Sequence, residues 1–222
     1  MINHDEPVSN YVFPKWVNKL PLYALSGVGL LLCLIIFVFW YWFSPKNLEV
    51  GYAPEQPIPY SHKLHVSELG LDCRYCHTQV ENSSHSNIPS TDTCMNCHSQ
   101  IKTQSPYIMK LKESYVNNKP MQWVKVHKLP DYVYFNHSRH VTAGISCYSC
   151  HGRVDQMERV HQVKPLSMSW CLECHRAPEN HLRPREFVTK LDWKADNQLE
   201  VGRQIKEAYK IRPGEDCSTC HR

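Results

Sequence analysis

One long apolar run stands out against an otherwise mixed chain of 222 residues. Leu22 to Phe43, LYALSGVGLLLCLIIFVFWYWF, carries no charge, and at about 20 residues a helix already crosses a hydrocarbon core. The pattern predicts a transmembrane helix over 22–43. A cleaved secretory signal would want a shorter apolar core and a small-x-small cleavage site, and neither is present. Aromatic residues bracket the run, with Tyr11, Phe13 and Trp16 before it and Trp40, Tyr41, Trp42 and Phe43 at its end, as interfacial belts do. Beyond it lies SPKNLEVGYAPEQPIP, residues 44–59, whose prolines predict an extended linker that holds the rest off the bilayer. Ser105-Pro106 predicts a helix start, with the helix running to about Tyr115. Alternation on both sides of Leu129-Pro130-Asp131 suggests a short hairpin within Trp123 to Phe135. From about Ala195 to Ile211 the spacing of Leu199, Ile205 and Tyr209 predicts a helix ended by Pro213-Gly214.

Between these elements the chain reads Cys-x-x-Cys-His five times, at Cys73, Cys76 and His77; Cys94, Cys97 and His98; Cys147, Cys150 and His151; Cys171, Cys174 and His175; and Cys217, Cys220 and His221. Two thiols at that spacing can each close a thioether onto one haem vinyl group, while the next histidine meets the iron. With 14 histidines in the chain, a given position is histidine roughly one time in sixteen. Zinc ribbons and thioredoxin-like motifs do not require a histidine after every second cysteine, so five covalently bound haem c groups are the expectation.

Composition changes the picture in two places. Eleven cysteines would suggest a disulfide scaffold, but the motifs take ten of them. Cys33 remains, inside the apolar run, as an ordinary membrane residue; Leu31 and Leu32 before it exclude a lipobox. The formal charge of +4 gives no ground for nucleic-acid binding, because haem propionates would offset it. Lys15 and Lys19 before the apolar run favour an inside N-terminus. Haem c attachment on the far side of the bacterial cytoplasmic (inner) membrane points the same way, with the haem domain periplasmic.

The haem region repeats. Tyr60-Ser-His62-Lys-Leu-His65 and the motifs at Cys73 and Cys94 are echoed by Phe135-Asn-His137-Ser-Arg-His140 and the motifs at Cys147 and Cys171. The fifth motif follows the second copy, and the first copy has no third one. Outside the motifs and beyond the membrane run, His62, His65, His85, His127, His137, His140, His161 and His181 are candidates for the sixth iron position. That surplus favours two histidines per iron, leaving no open position for a small substrate. Met95 and Met168 are the methionines near motifs, with core packing as their plainer reading. His85, His127 and His181 read more simply as surface or hydrogen-bonding residues.

Phe135-x-His137-x-x-His140 with the motifs that follow resembles the cytochrome c7 and cytochrome c3 families. The resemblance implies a mostly irregular fold with short helices, built as duplicated c7/c3-like units of two haems (60–120) and three haems (121–222), after a cytoplasmic segment at 1–21. Carried over, it pairs His62 with His77, His65 with His98, His137 with His151, His140 with His175, and His161 with His221. The whole layout resembles the pentahaem subunit of bacterial alternative complex III, a quinol:electron acceptor oxidoreductase. That resemblance implies a non-catalytic electron-transfer role. It also implies an iron–sulfur subunit, polytopic quinol-binding membrane subunits, and a monohaem cytochrome c or a terminal oxidase as partners, with membrane lipid around the anchor. A NapC/NirT-type membrane-anchored quinol dehydrogenase is the alternative. With no ionisable residue inside the apolar run, proton coupling would fall to partners.

Overall fold

A computed structural model describes residues 12–221, apart from the Pro45 side chain. His4, Tyr11 and most of the expected cytoplasmic segment lie outside the described residues. Two compact units divide between Asn47 and Leu48.

In the first unit a 3-10 turn, Lys15–Lys19, runs into an α-helix, Leu20–Trp42. Pro21 is tolerated in its first turn, where the missing N–H has no intrahelical partner. The helix is about 35 Å long at 1.5 Å per residue, enough to cross a membrane. Its apolar side chains, Leu25 at 74% and Leu30 at 72% among them, are exposed on every face. A helix apolar all round gains from lipid what it cannot gain by packing on one stripe. Cys33 is exposed there with the rest. At the C-terminal end Phe39 stacks on Phe43, and Ser44 Oγ and Asn47 Nδ2 both donate to Tyr41 O, closing the last turn.

The second unit contains short helices joined by turns, and among the described residues its only β pairings are the isolated bridges Val133–His221 and Ile145–Leu182. Its aliphatic core is small: Ile58, Ile108 and Leu111 form one cluster, and Ile145, Leu182 and Ile205 another. Helix Pro106–Val116 supplies Ile108 and Leu111 from positions three apart on one face. Helix Gln198–Ala208, capped where Asn197 Oδ1 accepts from Glu200 N, supplies Ile205. That helix packs so closely on the Pro178–Asn180 turn that a Cβ on Gly202 would stand 1.9 Å from Glu179 O.

Two expectations fail. Residues 44–59 are not a free spacer. From Leu48 onward they pack into the second unit, where Ile58 is buried, Gln56 exchanges hydrogen bonds with the backbone of Val124, and Gly51 N and Tyr52 O bond Gln162. Proline stiffened the segment without preventing its apolar side chain from finding a core. The hairpin within Trp123 to Phe135 does not form either. Its first half is taken up by Gln56 and its second half pairs with the last haem motif, Tyr134 N donating to Cys220 O.

The segments Tyr60–His65 and Phe135–His140 have the same ring geometry. Tyr60 lies edge-on to His62 at 4.9 Å and stacks on His65 at 4.4 Å; Phe135 does the same to His137 at 4.7 Å and to His140 at 4.5 Å. Beyond these histidines Gly70, Asp72 and Cys73 stand where Gly144, Ser146 and Cys147 stand, so the first segment carries one extra residue before its glycine. The extra residue is absorbed by a π-helical turn, Lys63–Glu68, against the α-helix His137–Ala143 of the second. Leu71 N then donates to His65 O at 3.0 Å as Ile145 N does to His140 O at 3.0 Å, and register is regained.

Candidate haem attachment sites and their histidines

Each Cys-x-x-Cys-His forms a single helical turn or ends a short helix: Cys73–Cys76, Thr91–His98, Cys147–His151, Met168–Arg176 and Cys217–Cys220. Helical spacing turns the two thiols to one side and brings the histidine round beside them. Local sequence starts these turns: Asp72 Oδ1 accepts from Arg74 N at 2.9 Å, Ser146 Oγ from Tyr148 N at 3.2 Å, and Asp216 takes the Ser218 and Thr219 hydroxyls. The first turn of each repeat docks on one short segment. Thr189 Oγ1 donates to Asp72 Oδ2 at 2.9 Å, while Ser146 Oγ donates to Val188 O at 2.8 Å. There the Cys73 and Cys147 side chains come near enough to perturb each other.

The histidines share one feature. Nδ1 of His77 lies 2.8 Å from Asn87 O, of His98 3.1 Å from Ile101 O, of His175 2.6 Å from Gly214 O, and of His221 3.1 Å from Tyr132 O. Outside the motifs, His65 Nδ1 meets Ser61 O at 2.8 Å, His137 Nδ1 meets Ser84 O at 2.9 Å, and His140 Nδ1 meets Asn136 O at 2.8 Å. A carbonyl can only accept, so each of these imidazoles carries its proton on Nδ1 and offers the Nε2 lone pair, the arrangement of a metal-ligating histidine. His151 differs, its Nδ1 facing His127 Nε2 at 3.3 Å. His62 Nδ1 is buried with no partner.

Ring separations add the second test. A metal–imidazole bond of about 2 Å on each side, with Nε2 about 1.1 Å from its ring centre, puts two trans imidazoles about 6 Å apart. The rings of His65 and His98 are 6.2 Å apart, as are those of His140 and His175. His127 and His151 are 4.3 Å apart at 81°, too close to hold an iron between them. Burial favours neutral imidazole, pushing His62 and His127 down to about 4 and His151 to about 3. His137 and His140 are lowered by burial too. Nδ1-anchored imidazoles that follow free thiol pairs fit covalent haem c. A zinc centre is a poorer fit, since among the described residues no three His, Cys, Asp or Glu side chains converge on one point.

No protein-family model matches the chain. It is 32% identical over 176 residues, covering 70% of its length and 81% of the relative, to the menaquinone reductase multihaem cytochrome c subunit of Nitratidesulfovibrio vulgaris (strain Hildenborough). The chain belongs to this multihaem cytochrome c family.

The remaining candidates of the cytochrome are distributed unevenly. His161 lies near His127, where it adds to the larger effect of burial, and among the described residues no ring contact joins it to His221, which packs on Tyr132. His85 is exposed and His181 half-buried. Met95 packs on the Ile58 cluster, while Met168 is 65% exposed rather than packed. Sequence reading missed the anchoring carbonyls of Ser61, Ser84, Asn87, Ile101, Tyr132, Asn136 and Gly214. A backbone oxygen is common to every residue type, so no residue identity could have signalled them.

Proposed function

We propose that this cytochrome is the electron-transfer subunit of a membrane-bound, quinone-linked oxidoreductase, carrying five haem c groups with no open iron position. The thiol pairs of the five motifs form the attachment sites. His77, His98, His151, His175 and His221 would hold the irons together with His62, His65, His137, His140 and His161. What carries the reading is the 6.2 Å separation of the His65–His98 and His140–His175 rings, with an anchored Nδ1 on each of the four histidines. Haem supplies a one-electron iron couple when bound. The protein's part is to fix His65, His77, His98, His137, His140, His175 and His221 through backbone carbonyls, and to hold the first motif turns of the two c7/c3-like units together at Val188 and Thr189.

In this reading the helix Leu20–Trp42 anchors the subunit with its N-terminus inside and its haem unit on the periplasmic side. Quinone chemistry belongs to polytopic partner subunits, and an iron–sulfur subunit exchanges electrons with the cytochrome, as in alternative complex III. A monohaem cytochrome c or a terminal oxidase then takes the electrons. The relative's name favours a second direction, with electrons leaving to menaquinone.

Mass spectrometry after mild detergent extraction of the native membrane tests the assembly. An iron–sulfur subunit and polytopic subunits should accompany the cytochrome; isolation of the cytochrome alone would replace the proposal with a stand-alone NapC/NirT-type dehydrogenase. Stopped-flow mixing of the complex with a reduced quinol separates the two directions: fast haem reduction supports quinol oxidation, and reduction only by soluble donors supports menaquinone reduction.

A further inference from the structure

Numbered along the chain from 1 (Cys73 to His77) to 5 (Cys217 to His221), the Cys-x-x-Cys-His motifs meet one another in a different order. Motifs 1 and 2 touch directly: Asn96 Nδ2 donates to Tyr75 OH at 3.2 Å, each residue lying between the two cysteines of its motif. Motifs 1 and 3 meet through residues 188 and 189. Cys147 N and Ser146 Oγ donate to Val188 O at 3.4 and 2.8 Å, while Thr189 Oγ1 donates to Asp72 Oδ2 at 2.9 Å. Ser84 O, in the loop after motif 1, also holds His137 Nδ1 of the second repeat at 2.9 Å. Motifs 3 and 4 share a core, Cys174 packing on the cluster of Ile145, Leu182 and Ile205 that lies just before Cys147. Motif 4 reaches motif 5 where His175 Nδ1 meets Gly214 O at 2.6 Å and Arg176 pairs with Glu215 at 3.5 Å. The thiols follow the same path. Cys73 and Cys147 are each other's largest influence, ahead of burial. Burial raises Cys76, Cys150 and Cys171, and after burial the influence comes from Cys94, from Cys174 and from Cys220 respectively.

We propose that the motifs hold their haems in the spatial order 2, 1, 3, 4, 5, with the two repeats joined through their first motifs and the electron path ending at Cys94 and Cys97 on one side and at Cys217 and Cys220 on the other. The inference rests on the haem assignment above. A thioether ties a haem edge to each sulfur, so motifs whose thiols are neighbours hold neighbouring haem edges, and electron transfer falls off steeply with edge separation. Each transfer moves one electron, oxidising the haem that gives it up and reducing the next. A duplication joined tail to head would run in chain order. Here residues 188 and 189 clamp the two first motifs together, which turns the first repeat round and leaves motif 2 at a free end. Among the described residues no hydrogen bond or ion pair joins residues 94–98 to residues 147–151, 171–175 or 217–221. Exposure agrees: of the ten motif thiols only Cys97 and Cys217 are exposed, one in each end motif. Partner proteins therefore exchange electrons at motifs 2 and 5, and motifs 1, 3 and 4 relay between them.

The test uses the full-length, unmutated holoprotein extracted from its native membrane. Intact-mass spectrometry first counts the covalent haems; fewer than five would defeat the haem assignment and this inference with it. Cryo-electron microscopy of the extracted complex then reads the order from the edge separations. The haem on Cys94 and Cys97 should have a single near neighbour, the one on Cys73 and Cys76, and the latter should lie next to the haem on Cys147 and Cys150. The haem on Cys217 and Cys220 should likewise have one near neighbour, on Cys171 and Cys174. Five haems with the Cys94 haem between those of Cys73 and Cys147, as chain order requires, would overturn the proposal and leave the haem assignment intact. So would a partner's redox cofactor whose nearest haem is that of motif 1, 3 or 4. If the cytochrome is extracted alone, a crystal structure of the holoprotein in detergent decides the order by the same separations.

Discussion

Tyr60–His65 and Phe135–His140 present nearly superimposable aromatic–histidine clusters, yet their surroundings differ. His137 Nδ1 is held by Ser84 O, whereas His62 Nδ1 is buried without a partner. The residue between aromatic and histidine caps both segments alike, Ser61 Oγ accepting from Leu64 N and Asn136 Oδ1 from Arg139 N, but the first continues as a π turn and the second as an α-helix. Ring packing is therefore a local property, dictated by an aromatic two and five residues before the histidines. Orientation about the metal-facing axis is tertiary, depending on which loop delivers a carbonyl. In each case the loop lies across the repeat. Ser83 and Ser84, after the first motif, receive Ser138 N and His137 N; Met157 O and Asp155 O, after the third, receive Lys63 N and the Ser67 hydroxyl.

The two segments should respond equally when their second histidine is lost, because both rings sit 6.2 Å from a motif histidine. His65→Ala and His140→Ala should each convert one haem to a high-spin form and raise its potential, leaving the remaining haems low-spin. Electron paramagnetic resonance of the oxidised protein reads this directly. A fully low-spin spectrum in either variant would break the equivalence and remove that histidine from the ligand set.

The equivalent glycines should respond unequally. Gly144 has φ +93° and a Cβ there would meet Arg183 O at 2.4 Å, whereas Gly70, at φ +73°, has open space around it. Gly70→Ala carries only the left-handed backbone penalty, about 1 kcal/mol. Gly144→Ala adds a backbone overlap that must also disturb the Arg183 N to Gly144 O bond and the Ile145–Leu182 bridge, for about 3 kcal/mol in all. Guanidinium unfolding of the two holoproteins checks the ranking, and equal losses would contradict it.

Much of this was legible in sequence because covalent haem chemistry demands contiguous residues. The motif turns fall on the predicted cysteines, and the helix expected at Ser105 to Tyr115 is found at Pro106–Val116. The helix expected over Ala195 to Ile211 is shorter, Gln198–Ala208, because Asn197 caps it late and Tyr209 already leaves the helical region. Local signals failed where the partner was distant. Alternation around Leu129 reported strand propensity but not that Val133 would pair with His221. Proline content in residues 44–59 reported stiffness but not that Ile58 would join Ile108 and Leu111. His127 read as one of several spare histidines, since nothing local places it behind His151.

The smallest expected effect separates the caps of the two first motif turns. Asp72 and Ser146 hold equivalent positions, but only Asp72 titrates. Its hydrogen bond from Arg74, helped by the Thr189 hydroxyl, holds the carboxyl down from about 3.8 to about 2. A carboxylate with a depressed folded-state pKa stabilises the fold above its unfolded value, and that contribution is lost as pH falls from about 4 through about 2. Asp72 is 39% exposed, so solvent screening keeps the contribution small. Ser146 is 1% exposed and donates to Val188 O as well as capping Tyr148 N, so its loss should cost about 1–2 kcal/mol at any pH. In guanidinium unfolding, the deficit of Asp72→Asn should be present at pH 7 and shrink near pH 2.5, while that of Ser146→Ala stays constant. A deficit for Asp72→Asn that ignored pH would mean that the cap works through shape alone, and that the charge drawn in by Arg74 contributes nothing to docking the first haem turn.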